Sequence, residues 1–219
     1  MTELTVLCEG PTEVGFVRDV LRPHLASIQV YCKPVELNRR NFGVVPWEKL
    51  RKAIQGSIGS ARAHQYTTCM VDLYALPDYP GQGEPSATQL QKVRNIEFRM
   101  KEAIPNPNWL PYIQLHEFEA LLYVDLSAID SAMSDRDVGG GVASLLAEVN
   151  GLAPEDVNEG STSAPRKRIL KHIPEYAKAQ VGPSAAMVIG IGQLRQHCPH
   201  FNEWLTTLEN LAAPRLRTV

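Results

Sequence analysis

The sequence lacks several features that would assign a class of protein at once. No apolar run approaches the roughly 20 residues that a membrane-spanning helix requires, and the first residues show neither the basic start nor the apolar core of a signal peptide. The four cysteines include no Cys-x-x-Cys pair, which argues against a structural zinc site. We therefore expect a cytoplasmic protein with reduced cysteines and no membrane association.

An excess of basic charge is also absent. The chain has 22 Lys and Arg against 24 Asp and Glu, a net charge of -2, so any surface that binds nucleic acid must be local. No glycine-rich loop matches a P-loop or a dinucleotide fingerprint, and no strand-to-helix elbow supports a serine nucleophile. The length of 219 residues fits one domain, or one domain with a smaller appendage.

Apolar runs and amphipathic segments alternate in the first half of the chain. We predict strands over 4–8, 27–35, 66–71 and 112–115, and helices over 12–25, 47–58 and 86–103. Alternation of this kind is typical of a parallel sheet with right-handed crossovers. The predicted fold class is therefore α/β, a doubly wound sheet of about four mainly parallel strands flanked by helices.

The second half of the chain has a mainly helical pattern. We predict helices over 127–133, 142–149, 184–196 and 198–211 and a short one around Tyr176, with a flexible loop at Gly139–Gly141. The chain then divides into an α/β core over 1–125, a helical part over 126–213 that packs on the core, and a tail over 214–219.

Acidic residues stand where the predicted strands end. Glu9 follows the first strand, Asp72 the third and Glu117 the fourth; Glu13, Asp78 and Glu119 are nearby in the sequence. Ligands of open parallel sheets bind at the carboxyl ends of the strands. Converging carboxylates repel one another unless a cation is present, and oxygen ligands suit Mg²⁺ or Mn²⁺. Because such metals support displacement at phosphorus, the pattern predicts phosphoryl-transfer or phosphodiester chemistry.

Most of these acids also have a purely structural explanation, although Glu9 has less of one because Gly10 and Pro11 already make the turn. The helix macrodipole favours Glu13 in a first turn, and Asp72 could simply start a turn. Glu117 and Glu119 share a face if the chain stays extended after His116 and diverge if a helix starts there. The basic segment with Arg166, Lys167, Arg168 and Lys171 is either a solvated helix face or a surface for the phosphate backbone.

Several motifs resemble known families. Glu9-Gly10-Pro11-Thr12-Glu13 after a first strand, with Asp72 after a third, resembles the Toprim fold of topoisomerases, primases and overcoming-lysogenization-defect (OLD) nucleases. The stretches 71–77, 113–122, 164–169 and 198–204 resemble an uncharacterised bacterial family of Toprim-like proteins, the domain-of-unknown-function family 4276. The resemblance extends from Leu4 to Leu211.

The resemblance implies a role for each matched acid. Glu9 would be a metal ligand or general acid/base, Glu13 would help hold a second metal, and Asp72 would be the first acid of an Asp-x-Asp pair. Tyr74 stands where the second acid is expected. Asp78, or Glu117 and Glu119, would then have to complete the metal shell.

The same resemblance implies an activity and a partner. Lys167, or its neighbours Arg166 and Arg168, would act on the scissile phosphate together with Glu9 and Asp72. The implied protein is a Mg²⁺- or Mn²⁺-dependent nuclease or nuclease subunit, often encoded beside an ATPase in phage-defence loci. The alternatives are a degenerate module that binds nucleic acid or an ATPase without cleaving, and a small-molecule phosphotransfer or nucleotide-binding enzyme. The missing phosphate-cradling glycine loop counts against the last of these.

Overall fold

Four strands form one parallel sheet in the described part of the chain. The computed structural model describes residues 1–38, 43–59, 64–74, 76–157, 160 and 163–212. The strands are β1 (Thr2–Cys8), β2 (Val30–Glu36), β3 (Gln65–Met70) and β4 (Trp109–Leu110), in the order β2-β1-β3-β4. All neighbouring pairs are parallel, so the predicted α/β class and the parallel sheet are confirmed.

The fourth strand lies earlier than the sequence predicted. The ladder with β3 is formed by Trp109 and Leu110, and the predicted strand at 112–115 keeps only the bridge between Asp72 and Gln114. Pro111, between these two points of contact, has no N–H to give to a ladder. The ladder between β3 and β4 therefore stops after two residues, and pairing resumes at the bridge between Asp72 and Gln114.

Helices flank the sheet on both faces. After β1 come α1 (Pro11–Phe16), a π-helical turn (Val17–Leu21) and α2 (Arg22–Ala26); α3 (Trp47–Gly59) and α4 (Gln89–Ala103) follow β2 and β3. The remaining elements are a 3-10 helix (Phe118–Val124), α5 (Ser127–Ala132), α6 (Gly139–Glu148), a 3-10 turn (Pro154–Asp156), α7 (Pro165–His172), α8 (Lys178–Ile189), α9 (Ile191–His197) and α10 (Pro199–Glu209).

The central strand β1 contributes to a separate hydrophobic core on each face of the sheet. Leu4, Val6 and Cys8 pack with α1, α2 and the C-terminal helices, whereas Leu7 packs with α3 and α4. Because successive side chains of a strand point to opposite faces, this division follows directly from the sequence. A strand buried on both faces is typical of parallel sheets covered by helices.

The C-terminal helices share the first of these cores with β1. Helices α1 and α8 approach closely at Gly15, where an added Cβ atom would lie 2.7 Å from Pro183 Cγ. The predicted boundary between 125 and 126 stays a prediction, and the predicted tail over 214–219 lies outside the described residues. Among the helices described, none has the length and apolar character needed to cross a membrane.

Three local predictions for the second half were wrong. Gly139–Gly141 opens α6 instead of forming a loop. Glycine is needed at position 141 because α7 packs so closely that a Cβ there would lie 2.4 Å from the carbonyl oxygen of His172. The single helix predicted over 184–196 is divided into α8 and α9 at Gly190, whose φ of 78° ends the first helix. Tyr176 lies in the connection between α7 and α8 rather than in a helix.

Candidate active site

Glu9 and Asp72 meet at the carboxyl edge of the sheet. Glu9 follows the last residue of β1, Asp72 lies two residues beyond β3, and Cys8 pairs with Met70 in the ladder between these strands. The backbone N–H of Asp72 donates to Glu9 Oε2 at 3.0 Å. The parallel sheet therefore brings together two carboxylates that are 63 positions apart in the chain.

Glu13 joins this pair from the first turn of α1. Its Oε2 accepts a hydrogen bond of 2.8 Å from the backbone N–H of Gly10, which is the capping contact that an acid in a first turn can make. Its Oε1 is buried and has no hydrogen-bond partner in the described part of the chain. One oxygen thus serves the helix, and the other lies 3.8 Å from Lys178 Nζ.

Glu117 and Glu119 diverge because a 3-10 helix begins between them. Glu117 has an extended backbone, and its Oε2 accepts from the backbone N–H of Arg166 at 3.1 Å. Glu119 lies inside the 3-10 helix and is fully buried. The turn follows His116, whose φ of 63° is unusual for a residue other than glycine.

His116 has a structural role beside the site. Its side chain is buried, and Nε2 donates to the carbonyl oxygen of Glu155 at 2.6 Å. Burial lowers the pKa of His116, which favours the neutral ring. His116 therefore contributes to the site through its backbone turn, which orients Glu117.

Lys178 occupies the centre of the acidic cluster, and the sequence did not single it out. Its Nζ lies 3.1 Å from Asp72 Oδ2, 3.2 Å from Glu119 Oε2 and 3.8 Å from Glu13 Oε1. Burial on its own would lower the pKa of Lys178, but the charges of the three acids outweigh it and raise this pKa well above its ordinary value. The only sequence signal is a lone lysine at the start of a largely apolar helix, which is too common a pattern to indicate a site.

One ammonium group does not balance the buried acids. Burial, followed by the charges of Asp72 and Glu13, raises the pKa of Glu9 to about 9. Burial and Asp72 raise the pKa of Glu13 to about 7, and burial raises that of Glu119 to about 7 despite the opposing charge of Lys178. The cluster therefore holds protons at neutral pH and has room for further positive charge.

The donor chemistry of the cluster fits a divalent cation of the Mg²⁺ type. Glu13 Oε1 and Asp72 Oδ1 are buried oxygens without a hydrogen-bond partner in the described structure, and Mg²⁺ commonly combines one or two carboxylates with substrate phosphate. Among the described residues, no three His, Cys, Asp or Glu side chains are arranged to hold a metal as a group. Glu13, Asp72 and Glu119 converge on Lys178 instead, so a metal would rely on a few carboxylate oxygens and on the substrate.

A cavity of about 570 Å³ opens above the acids. The charged and aromatic residues of its wall include Glu9, Glu13, Asp72, Tyr74, Arg166 and Lys178. Glu117 also lines this cavity, whereas its described lining does not include Asp78, which is exposed in the loop after β3. Of the acids predicted to complete a metal shell, Glu117 reaches the cavity wall and Glu119 lies behind Lys178.

The basic segment forms α7 and divides into two parts. Arg166 lies on the cavity wall, and Lys167 donates to the hydroxyl of Tyr74 at 3.4 Å. Arg168 and Lys171 contact Glu148 of α6 at 2.9 Å and 2.7 Å. Two of the four residues predicted to bind nucleic acid therefore lie beside the cavity, and the other two are held by an acid of the protein.

Fold and site together define an α/β protein with an acidic cavity at the carboxyl edge of a parallel sheet. The chain belongs to the family described as Domain of unknown function (DUF4276), whose model matches residues 8–209, and the family predicted from the sequence is thus confirmed. A comparison with curated proteins found no significant match.

One solved structure is similar to this chain. It is described as the C-terminal region of the Xanthomonas campestris pv. campestris OLD protein, with 12% sequence identity, 95% of this chain and 96% of that chain covered, and a TM-score of 0.42.

Proposed function

We propose that this protein is a Mg²⁺- or Mn²⁺-dependent nuclease, or the nuclease subunit of a complex, that hydrolyses phosphodiester bonds in nucleic acid. The observation that carries the proposal is the meeting of Glu9, Glu13 and Asp72 around the half-buried Lys178 in an open cavity, with carboxylate oxygens left without a hydrogen-bond donor. Acids that converge in this way are costly to the fold, and such a cost is usually explained by function.

The acids have different roles in the proposed mechanism. Asp72 and Glu13 would hold the metal through Oδ1 and Oε1, buried oxygens that have no hydrogen-bond partner among the described residues. A bound Mg²⁺ would supply positive charge to the phosphate oxygens. Glu9, whose pKa is raised to about 9, keeps its proton at neutral pH and donates it to the leaving oxygen as a general acid.

Lys178 is better placed than Lys167 to act on the phosphate. Lys178 lies within 3.1 Å of Asp72, whereas Lys167 contacts the hydroxyl of Tyr74. Lys178 and Arg166 line the same cavity and stabilise the charge that develops on the phosphate. In this proposal, Lys167 contacts the substrate outside the reacting group.

The test is cleavage of plasmid DNA and of single-stranded oligonucleotides with Mg²⁺ or Mn²⁺. We expect wild-type protein to cleave, and Glu9→Gln to lose about 100-fold or more of the rate, the typical effect of a missing general acid. Asp72→Asn should lose a similar factor because it removes a charged metal ligand. Glu203→Gln is the matched control, because Glu203 is exposed and pairs with Arg94 away from the cavity. The proposal would be refuted if the wild type showed no metal-dependent cleavage, or if both variants cleaved at the wild-type rate.

A second candidate is a degenerate module that binds nucleic acid or an ATPase partner without cleaving. Two observations favour it: Tyr74 stands where an acid is expected, and Lys178 already neutralises part of the cluster. Calorimetry with Mn²⁺ separates the candidates. The degenerate module predicts no binding by the wild type and a gain of binding in Tyr74→Asp, and co-purification with a neighbouring ATPase would support it further.

Nucleic acid, an ATPase partner and a cytoplasmic location belong to the same proposal. Arg166 and Lys167 at the cavity support contact with a phosphate backbone. All four cysteines are buried and unpaired, as expected in a reducing compartment.

A further inference from the structure

The N-terminus of α8 opens into the acidic cavity without a cap. Ala177, Lys178, Ala179 and Gln180 all line the cavity, and no side chain caps this helix. The N–H groups of Gln180 and Val181 donate to the carbonyl oxygen of Ala177, whereas within the described structure those of Lys178 and Ala179 have no acceptor. A 12-residue helix therefore directs free donors and the positive end of its dipole at the cavity.

The neighbouring helix starts in the cavity wall are occupied by acids of the protein. Glu13 accepts from the N–H of Gly10 at the start of α1, and Glu117 accepts from the N–H of Arg166 at the start of α7. No described acid takes the corresponding position at α8. Ala179 is exposed there, and its methyl group leaves the entrance open.

Independent evidence that this cavity takes a ligand comes from two of the acids that line it. Glu13 and Asp72 are 2% and 6% exposed, and each carries an oxygen without a described hydrogen-bond partner. Buried polar atoms left in this state mark a missing partner, which for carboxylates is a cation. A cation bound there would attract an anion, and the first residues of α8 and Arg166 line the same cavity.

We propose that the N-terminus of α8, together with Arg166, is the subsite that binds a phosphate group of the substrate. The inference rests on the proposed function and names the part of the chain that holds the phosphate. Backbone N–H groups at a helix N-terminus bind phosphate directionally, and arginine adds a planar pair of donors. The acids and the phosphate subsite thus line one cavity.

The test uses inorganic phosphate as the probe and a charge placed in the subsite. In Ala179→Glu, a carboxylate in the first turn of α8 competes with phosphate, yet it interacts favourably with the helix dipole, so folding is retained. Ala179→Gln has the same size without the charge. Gln193→Glu adds the same charge at an exposed position of α9, outside the cavity lining.

Isothermal titration without divalent metal gives the readout. We expect wild type and Gln193→Glu to bind phosphate alike, and Ala179→Glu and Arg166→Gln to bind about 10-fold more weakly or worse, as expected for loss of a charge-assisted contact. Ala179→Gln, which narrows the entrance without adding charge, should bind more tightly than Ala179→Glu. Undetectable binding by the wild type, or wild-type affinity in both Ala179→Glu and Arg166→Gln, would overturn the inference.

Failure of this inference can be told apart from failure of the proposed function. If the protein binds phosphate at α8 but never cleaves nucleic acid, the nuclease proposal fails and the subsite stands. If metal-dependent cleavage by Ala179→Glu equals that of the wild type, the subsite fails and the nuclease stands.

Discussion

Lys178 Nζ and Asp72 Oδ2 lie 3.1 Å apart although their residues are separated by 106 positions in the chain. The contact joins the first residue of α8 to the carboxyl edge of the sheet. It also couples the stability of the fold to the site, because the ammonium group is the charge partner of Asp72, Glu119 and Glu13.

Lys178→Met should destabilise the protein strongly. Removal of one partner of a buried ion pair leaves uncompensated charge, which costs about 3–5 kcal/mol. The free energy of unfolding, measured by urea denaturation near neutral pH, should fall by this amount. Lys52→Met is the control, because Lys52 is 72% exposed and pairs only loosely with Glu48 in α3. An equal loss in both variants would show that Lys178 does not neutralise the cluster.

The stability of the protein should fall as the pH rises from about 5 to about 9. Burial raises the pKa of Glu9 to about 9 and those of Glu13 and Glu119 to about 7, whereas the ordinary value is 4.5. Across this window the folded chain binds more protons than the unfolded chain, so the free energy of unfolding decreases with pH. Glu9→Gln cannot ionise and should flatten the decrease.

The measurement for this prediction is the urea midpoint of wild type and Glu9→Gln at a series of pH values. A wild-type midpoint that rises through the window, or an identical decrease in Glu9→Gln, would contradict the assignment of a raised pKa to Glu9.

Glu148→Gln should release the basic face of α7. Hydrogen bonds from Lys171 and His172 lower the pKa of Glu148 to about 2, and Arg168 also contacts it. Loss of these contacts should cost about 1 kcal/mol of stability. Lys171, which is 65% exposed, then becomes available to phosphate, whereas Arg168 keeps its hydrogen bond to the carbonyl oxygen of Ser163. Affinity for nucleic acid should increase, and its salt dependence should increase by about one unit of log–log slope.

Fluorescence anisotropy with a single-stranded oligonucleotide over a range of salt concentrations measures this effect. Glu102→Gln is the control, because Glu102 pairs with Arg99 on α4, away from α7. If affinity and slope are unchanged in Glu148→Gln, this face of α7 does not bind nucleic acid.

Gly141→Ala and Gly140→Ala should have opposite effects. A Cβ at Gly141 would lie 2.4 Å from the carbonyl oxygen of His172, whereas no atom lies within 4 Å of a Cβ at Gly140. We expect Gly141→Ala to cost about 1–3 kcal/mol through overpacking, and Gly140→Ala to add about 0.5–1 kcal/mol through helix propensity. Thermal unfolding of the two variants provides the comparison, and two changes of the same sign would argue against the close contact of α6 with α7.

The sequence by itself determined the family, the parallel α/β class and the positions of Glu9 and Asp72 at strand ends. These features depend on the local sequence, because an apolar run of strand length followed by turn residues indicates where a strand ends. The direction of pairing then follows from the alternation of strands with helices. The fourth strand was misplaced because Pro111 interrupts pairing inside the segment that carries the apolar pattern.

Only the tertiary structure decided which basic side chain pairs with the acids and in which direction each acid points. Lys178 reaches Asp72 through the packing of α8 on the sheet, and Arg168 turns from the cavity to Glu148 because α6 packs on α7. The divergence of Glu117 and Glu119 depends on the left-handed backbone of His116, which local propensity does not favour. Contacts between distant segments leave no pattern in the local sequence, so they can be identified only from the packing of the helices in the tertiary structure.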